Sequence, residues 1–237
     1  MKFKELIKDY MRLIKYYPGK KYYSETGEDA VIAQLIRSKT GRFIDVGASH
    51  PIIGNNTFAL YRKGWRGIAI EPQERFKPAW SLCRSLDTFY LAVVSESVSS
   101  IPFMQFENSL LSTTSEKVAQ AHRERGLQSV ETFKTTVQLR NLLPESLSPS
   151  EDYLLSIDVE GAELEVLATV DFIRQRPRTI LIESWSLPWE KKSSAIKFLE
   201  KDANYRLFAY TGLTAIFIPA EIMDEVRGLR AKLESYG

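Results

Sequence analysis

Two carboxylates, Asp45 and Glu71, stand where two short apolar runs end. The first run is Arg42-Phe-Ile-Asp-Val-Gly-Ala-Ser-His-Pro51 and the second is Arg66-Gly-Ile-Ala-Ile-Glu-Pro72. Short apolar runs closed by turn residues read as buried strands. The pair is therefore a βαβ unit with an acidic group at each strand exit, and ligands of open parallel sheets bind outside those exits. The charges narrow the ligand. A dinucleotide fingerprint needs three glycines so that backbone can approach a pyrophosphate at a helix N-terminus. Here only Gly47 is in place, and Ala48, Ser49, His50 and Pro51 follow it. Pro51 has no N–H to offer, and Asp45 would repel phosphate. A cationic, phosphate-free cofactor reverses both objections, and S-adenosylmethionine is such a molecule. Asp45 could pair with its ammonium group, and Gly47 with the adjoining Ala48 could admit it close to backbone. Glu71 could accept its ribose hydroxyls, while N–H groups near Asn55 and Asn56 could take its carboxylate.

A second acidic group follows a third apolar run. Asp158 and Glu160 lie two residues apart after residues 153–157, Glu163 opens the next helical pattern, and Glu183 closes the run 179–183. On an extended chain the two-residue spacing sends both side chains to one face. An alcohol is a poor nucleophile at neutral pH, and a base within hydrogen-bond reach improves it. Asp158 or His50 is the candidate base and Glu160 the candidate acceptor ligand, with Asp158 counted in the cofactor set as well. Spacing leaves alternatives open: a helix cap or a contact to Asn55 or Asn56 for Asp158, and a structural loop role for His50. Asp158, Glu160, Glu183 and His50 could also bind Mg2+, which prefers oxygen ligands. No compact ligand motif is present, and no metal is expected. Trp185, leaving the same edge, offers an aromatic face for a sugar.

The elements that must position these groups alternate. Strands are expected at 43–47, 67–71, 89–94, 153–158 and 179–183, and helices at 27–37, 56–63, 75–85 and 163–174. This order implies a mostly parallel sheet with right-handed crossovers and helices on both faces. Residues 205–210 and 214–219 read as a closing antiparallel hairpin, followed by a helix over 220–236. The whole is the pattern of a Rossmann-like class I methyltransferase fold. Residues 1–40 read as an N-terminal helical extension and 41–237 as the main domain, interrupted by an insertion at about 95–150. That insertion shows a strand at 101–106, capping-box spacing between Thr113 and Glu116, Gly126 at the far helix end, and a strand at 130–137. Insertions of this length on a rigid scaffold are usually lids or substrate loops. Ser24 and Thr26 are candidate caps for the helix at 27–37.

Composition excludes several classes. The chain has 237 residues, 44% hydrophobic and 26% charged, with a formal net charge of +2. That charge gives no broad field for nucleic acid. A single cysteine, Cys83, cannot form an internal disulfide and suits a reducing compartment. The opening Met-Lys-Phe-Lys-Glu-Leu-Ile-Lys alternates charge too finely for a signal peptide, so a cytoplasmic location is expected. Residues 1–17 form a basic amphipathic pattern that could dock on the domain or touch a membrane surface.

These residues resemble the FkbM family of S-adenosylmethionine-dependent methyltransferases. The match runs from Tyr23-Ser-Glu-Thr-Gly-Glu-Asp29 through Phe43-Ile-Asp-Val-Gly-Ala-Ser-His-Pro51 and Gly54-Asn-Asn-Thr57 to Gly64-Trp-Arg-Gly-Ile-Ala-Ile-Glu-Pro72. It resumes over 153–167, where Asp-Val-Glu-Gly-Ala-Glu is its most specific part, and at Ile180-Leu-Ile-Glu183. Family members often carry Gln where Glu25 stands and Asn where Ser49 stands. The resemblance implies methylation of hydroxyl groups on sugars, glycans, polyketides or related metabolites. It also implies Asp45, Gly47 and Glu71 as cofactor ligands and Asp158 and Glu160 as active-site carboxylates. Two other readings compete: a non-catalytic binding protein that keeps the fold, and a nicotinamide-dependent oxidoreductase, which the missing glycines and Asp45 disfavour.

Overall fold

The computed structural model describes residues 11, 22–97, 99–144, 152–184 and 192–224. Its centre is a seven-stranded sheet. The strands are β1 (Arg42–Val46), β2 (Arg66–Ile70), β3 (Thr88–Tyr90), β8 (Tyr153–Ile157), β9 (Thr179–Glu183), β10 (Tyr205–Tyr210) and β11 (Thr214–Pro219). Their spatial order is β10-β11-β9-β8-β1-β2-β3. Pairing is parallel from β3 to β9, and β11 is antiparallel to both β9 and β10. This is a Rossmann-like methyltransferase fold, a parallel sheet closed by an antiparallel hairpin.

The near-continuous apolar character of β1, β8 and β9 follows from burial on both faces. Alternate residues go to opposite layers. Ile44, Leu155, Ile180 and Ile182 pack with Val166, Leu167, Ile196 and Leu199 from α5 (Glu163–Ala168) and α6 (Ser194–Lys201). Phe43, Leu154 and Leu181 face the other way, against Ile32 of α1 (Glu28–Leu35), Leu60 of α2 (Phe58–Lys63) and Trp65. Residues 23–36 thus belong to the sheet's packing, since Tyr23, Ile32 and Ile36 are all buried. Among the described residues no helix is long and apolar enough to cross a membrane.

Several elements differ from expectation, each for a local reason. The strand expected at 89–94 splits. After Tyr90 the chain leaves the main sheet, and β4 (Val93–Val94) pairs in parallel with β7 (Thr136–Val137). The strand expected at 130–137 breaks likewise into β6 (Ser129–Lys134), antiparallel to β5 (Ile101–Phe106), and β7. The helix of the insertion, α4 (Glu116–Glu124), is capped by Ser115, whose hydroxyl accepts from the Val118 N–H, and not by Thr113. Thr113 Oγ1 instead accepts from the Ser115 N–H and donates to the Glu160 carbonyl. α5 stops at Ala168, because the Asp171 carboxylate takes the N–H groups of Ile173 and Arg174 in a turn. α3 (Lys77–Cys83) follows a 3-10 turn at Glu74–Phe76. Gly27 stands at the N-cap position of α1, while Ser24 Oγ, from outside the helix, accepts from the Asp29 N–H of its first turn at 3.2 Å and Thr26 bonds Glu28. The N-terminal helical pattern, Trp185, Trp189 and most of the expected closing helix lie outside the described residues, although 220–224 are helical.

Trp65 is fully buried, and its indole N–H donates to the Ser38 carbonyl at 3.3 Å. Trp65→Ala should cost about 3–5 kcal/mol, from lost burial plus the cavity left behind. Chemical denaturation of both proteins measures it.

Candidate functional site

Parallel register sets the geometry of the site. Val46 pairs with Ile70 on one side and Ile157 on the other, and Ile157 pairs with Ile182. One residue further along each strand, Glu71, Gly47, Asp158 and Glu183 come to one level across the carboxyl edge. Asp45 sits two pairs deeper, level with Ala69 and Ser156. The β1 and β8 exits are pressed together: the Asp158 N–H donates to the Val46 carbonyl at 2.9 Å. A Cβ at Gly47, whose φ is 75°, would overlap the Asp158 carbonyl oxygen. The glycine expected to admit a cofactor is thus required first by the protein's own backbone.

Asp45 is 4% exposed. Its Oδ2 accepts from Asn55 Nδ2 at 2.9 Å and from Thr57 Oγ1 at 2.7 Å. Burial raises its pKa, opposed chiefly by the positive charge of Arg84. Arg84 is the buried cation that sequence reading missed. It is 1% exposed, it lies 39 residues beyond Asp45 by number, and nothing in its local sequence marks it. Glu71 is equally enclosed, and burial pushes its carboxyl up to about 7. Its two oxygens accept N–H groups from Ser49 at 3.0 Å and Gln73 at 2.9 Å. Each carboxylate oxygen has a second lone pair, so room for a ligand's hydroxyls remains.

Asp158, Glu160 and Glu183 offer oxygens within 4.8 Å of one another. Asp158 and Glu160 do converge, but not along an extended strand. Glu160 has φ 53° and Gly161 φ 98°, and this left-handed turn folds the chain back. The turn is held by Thr113, which donates to the Glu160 carbonyl at 2.8 Å, and by Glu163, which accepts from the Gly161 N–H at 2.8 Å. Asp158 caps no helix, since Ala162 occupies the N-cap of α5. Although Asp158 is open to the cleft, protein encloses it closely enough to matter. That enclosure pushes its carboxyl up to about 7, against a hydrogen bond from Glu183. Glu183 is driven up to about 10, first by burial and then by the Asp158 charge. Two carboxyls in hydrogen-bond contact hold one proton between them. Such a trio could also take a hard cation.

Two adjoining cavities open on this edge and share Glu25, Gly47, Ser49, Leu110 and Asp158. One, of about 340 Å³, is lined by Asp45, Ala48, Asn55, Asn56 and Ser156. The other, of about 220 Å³, is lined by Glu71, Gln73, Glu160 and Glu183 and by the apolar Ile70, Val93 and Phe103. The insertion forms part of this second wall. Ser109 accepts from Gln73 Nε2 at 3.1 Å through its carbonyl and from Arg75 through its hydroxyl.

The structure therefore brings Asp45, Gly47, Ala48, Asn55, Asn56, Glu71, Asp158 and Glu160 around one cleft. His50 is not among the lining residues. Its Nδ1 accepts from the N–H groups of Ile52 at 3.2 Å and Ile53 at 3.0 Å, so the lone pair needed by a base is spent on the loop. The side chains of Asn55 and Asn56 bond within the protein. α2 begins at Phe58, and the Thr57 N–H is taken by Asn55 Oδ1 at 3.1 Å. The Asn56 side chain donates to Ser156 Oγ at 3.2 Å.

A parallel sheet with this hairpin and acidic groups on its carboxyl edge defines a methyltransferase of the Rossmann-like class. The family profile described as the methyltransferase FkbM domain matches residues 45–207, more than half of the chain. The chain belongs to the FkbM methyltransferase family. No curated relative and no solved structure matches it.

Gly47→Ala should destabilise the fold by at least about 2 kcal/mol, combining a left-handed φ with backbone overlap. A denaturant midpoint unchanged from wild type would contradict the close approach. A carboxyl whose folded-state pKa is raised costs stability as pH climbs from its unfolded value toward the raised one. For Glu183 that window runs from 4.5 to about 10. Glu183→Gln, which can donate to Asp158 without a shared proton, should raise Tm by about 2–4 °C near neutral pH. The gain should shrink as pH approaches 5, which thermal scans across pH would show.

Proposed function

We propose that this methyltransferase uses S-adenosylmethionine to methylate a hydroxyl group on a sugar, glycan or other small metabolite. The observation that carries the reading is the charge of the cleft. Asp45, Glu71, Asp158, Glu160 and Glu183 line the two cavities, while no Lys, Arg or His among the described residues does. Buried carboxylates are costly, Arg84 and Arg75 offset that cost only in part at Asp45 and Glu71, and a ligand bearing positive charge and no phosphate relieves the rest. A dinucleotide would meet Asp45 with its phosphates, and the space over Gly47 is filled by the Asp158 carbonyl.

On this reading Asp45 receives the ammonium end of the cofactor in the larger cavity, beside Ala48, Asn55 and Asn56. Glu71 takes the ribose hydroxyls with the oxygen lone pairs that Ser49 and Gln73 leave open. Ile70, Val93 and Phe103 form the apolar wall beside it. When bound, the cofactor supplies an electrophilic methyl group on a cationic sulfur. The protein's part is then alignment, exclusion of water and handling of one proton. Glu183 holds the shared proton and donates to Asp158, which leaves Asp158 an ionised oxygen at neutral pH. That oxygen would accept the proton of the acceptor hydroxyl, which would pass to Asp158 as the hydroxyl oxygen takes the methyl group the cofactor supplies. Glu160, folded back by its left-handed turn, binds a neighbouring hydroxyl of the acceptor.

Isothermal calorimetry with S-adenosylmethionine and, separately, NAD tests the cofactor. Asp45→Ala and Glu71→Ala should each weaken S-adenosylmethionine binding by about tenfold or more, with no heat from NAD. Unchanged affinity in both variants sinks the assignment. Once an acceptor is in hand, Asp158→Asn should lower kcat by about 100-fold or more while cofactor affinity moves little. The wild-type rate should fall on the acid side of pH 7, as the Asp158 carboxyl at about 7 takes up a proton. A rate that is flat through that range would remove Asp158 from the base role.

A further inference from the structure

We propose that Arg84 is the positioning residue of the cofactor site, a buried guanidinium that holds the Asp45 carboxylate charged and in place through Thr57 and Asn55. This rests on the cofactor reading above. Arg84 is the C-cap of α3 and lines neither cavity, standing behind the Asn55 wall of the larger one with its side chain closed off from solvent. Its Nη1 donates to Asn55 Oδ1 and Thr57 Oγ1, each at 2.9 Å. Those two side chains are the ones that donate to Asp45 Oδ2. Thr57 has a single hydroxyl proton. With Arg84 donating to its oxygen, that proton goes to the charged acceptor Asp45, at 2.7 Å.

The charges around Arg84 fit a relay better than a simple ion pair. Arg84 Nε bonds Asp87 Oδ2 directly at 2.7 Å, and Asp87 Oδ1 is anchored by the Gly67 N–H at 2.9 Å. The guanidinium is also packed over the rings of Trp80, Phe43 and Tyr61, at 4.4, 4.9 and 5.1 Å. Asp87 thus takes the Nε side of the guanidinium, which leaves Nη1 for Asn55 and Thr57 and the field of the cation for Asp45 behind them. Without Arg84, burial alone would favour a protonated Asp45. Asp158 faces Asp45 from β8 and adds repulsion, and Arg84, with Asp87 and Tyr61 behind it, faces it from the other side. Lysine could not replace the fork, because one ammonium cannot reach Asp87, Asn55 and Thr57 in that geometry.

The experiment is calorimetric titration of S-adenosylmethionine into wild type, Arg84→Met, Arg84→Lys and Thr57→Val from about pH 5.5 to about 7.5. An ionised Asp45 is needed for binding, so affinity falls as pH drops through its folded pKa. Loss of Arg84 raises that pKa further, so Arg84→Met should bind about tenfold more weakly than wild type, with the deficit narrowing as pH rises. Thr57→Val should shift in the same direction by less. The same changes made on Asp45→Asn should have no further effect, since the charge they act on is gone. A folded variant with the wild-type pH profile, or one weakened equally at every pH, overturns the relay. If Arg84→Met does not fold, Arg84→Lys and Thr57→Val decide. Absence of binding to wild type overturns the cofactor reading and this inference together, whereas a binding wild type with unmoved variants overturns this inference alone.

Discussion

Like charges forced together at the end of a parallel sheet govern this molecule. Register places Glu71, Asp158 and Glu183 on one level with Asp45 beneath; Asp45 and Glu71 are buried, Glu183 is half-buried, and Asp158 opens to the cleft. Ionised groups in that position would drive the strand ends apart. Each has its own remedy. Asp45 has hydrogen bonds backed by a guanidinium, Glu71 has two backbone N–H groups, and Asp158 and Glu183 share a proton. The remedies are all partial. The raised pKa values at all four positions agree with a charge that the protein alone does not fully satisfy.

Partial satisfaction is what links stability to function here. A fully neutralised edge would be more stable and would have nothing left to attract a cation. The acidic edge resembles other functional sites in which desolvation and like-charge contact move pKa values toward working pH. The backbone carries a related strain, since Glu160 adopts a left-handed conformation that costs a non-glycine residue about 1–2 kcal/mol. Thr113 of the insertion helps to stabilise it. The insertion is therefore tied to the active edge at two places, Glu160 and the Gln73–Arg75 segment, and its Phe103 faces the same cavity. An acceptor bound against that wall would meet residues from the insertion and carboxylates from the sheet together.

Much was legible in the chain before folding. Strands with strong apolar character, 101–106, 179–183, 205–210 and 214–219, appear at their expected limits, because burial on fixed faces leaves little choice of period. The acidic strand ends were legible for the same reason, and so was the family. Errors fell where side chains compete with backbone. α2 starts late because Asn55 and Thr57 are drawn to Asp45, α5 ends early at the Asp171 turn, and Ser115 displaces Thr113 as a cap because Thr113 reaches across to Glu160. His50 looked like a base by residue type, and only its loop partners show that its lone pair is committed.

Local sequence determined which strands form, where they end and which acids their ends carry, since those follow from apolar periodicity and turn chemistry within a few residues. Tertiary structure decided which acids share a proton, which glycine is obligatory and which cation stands behind Asp45. Register and burial bring together groups far apart in the chain, Asp158 beside Glu183 and Arg84 behind Thr57. Electrostatic interaction depends on that distance in space and on the water excluded, and neither is written in the order of the residues.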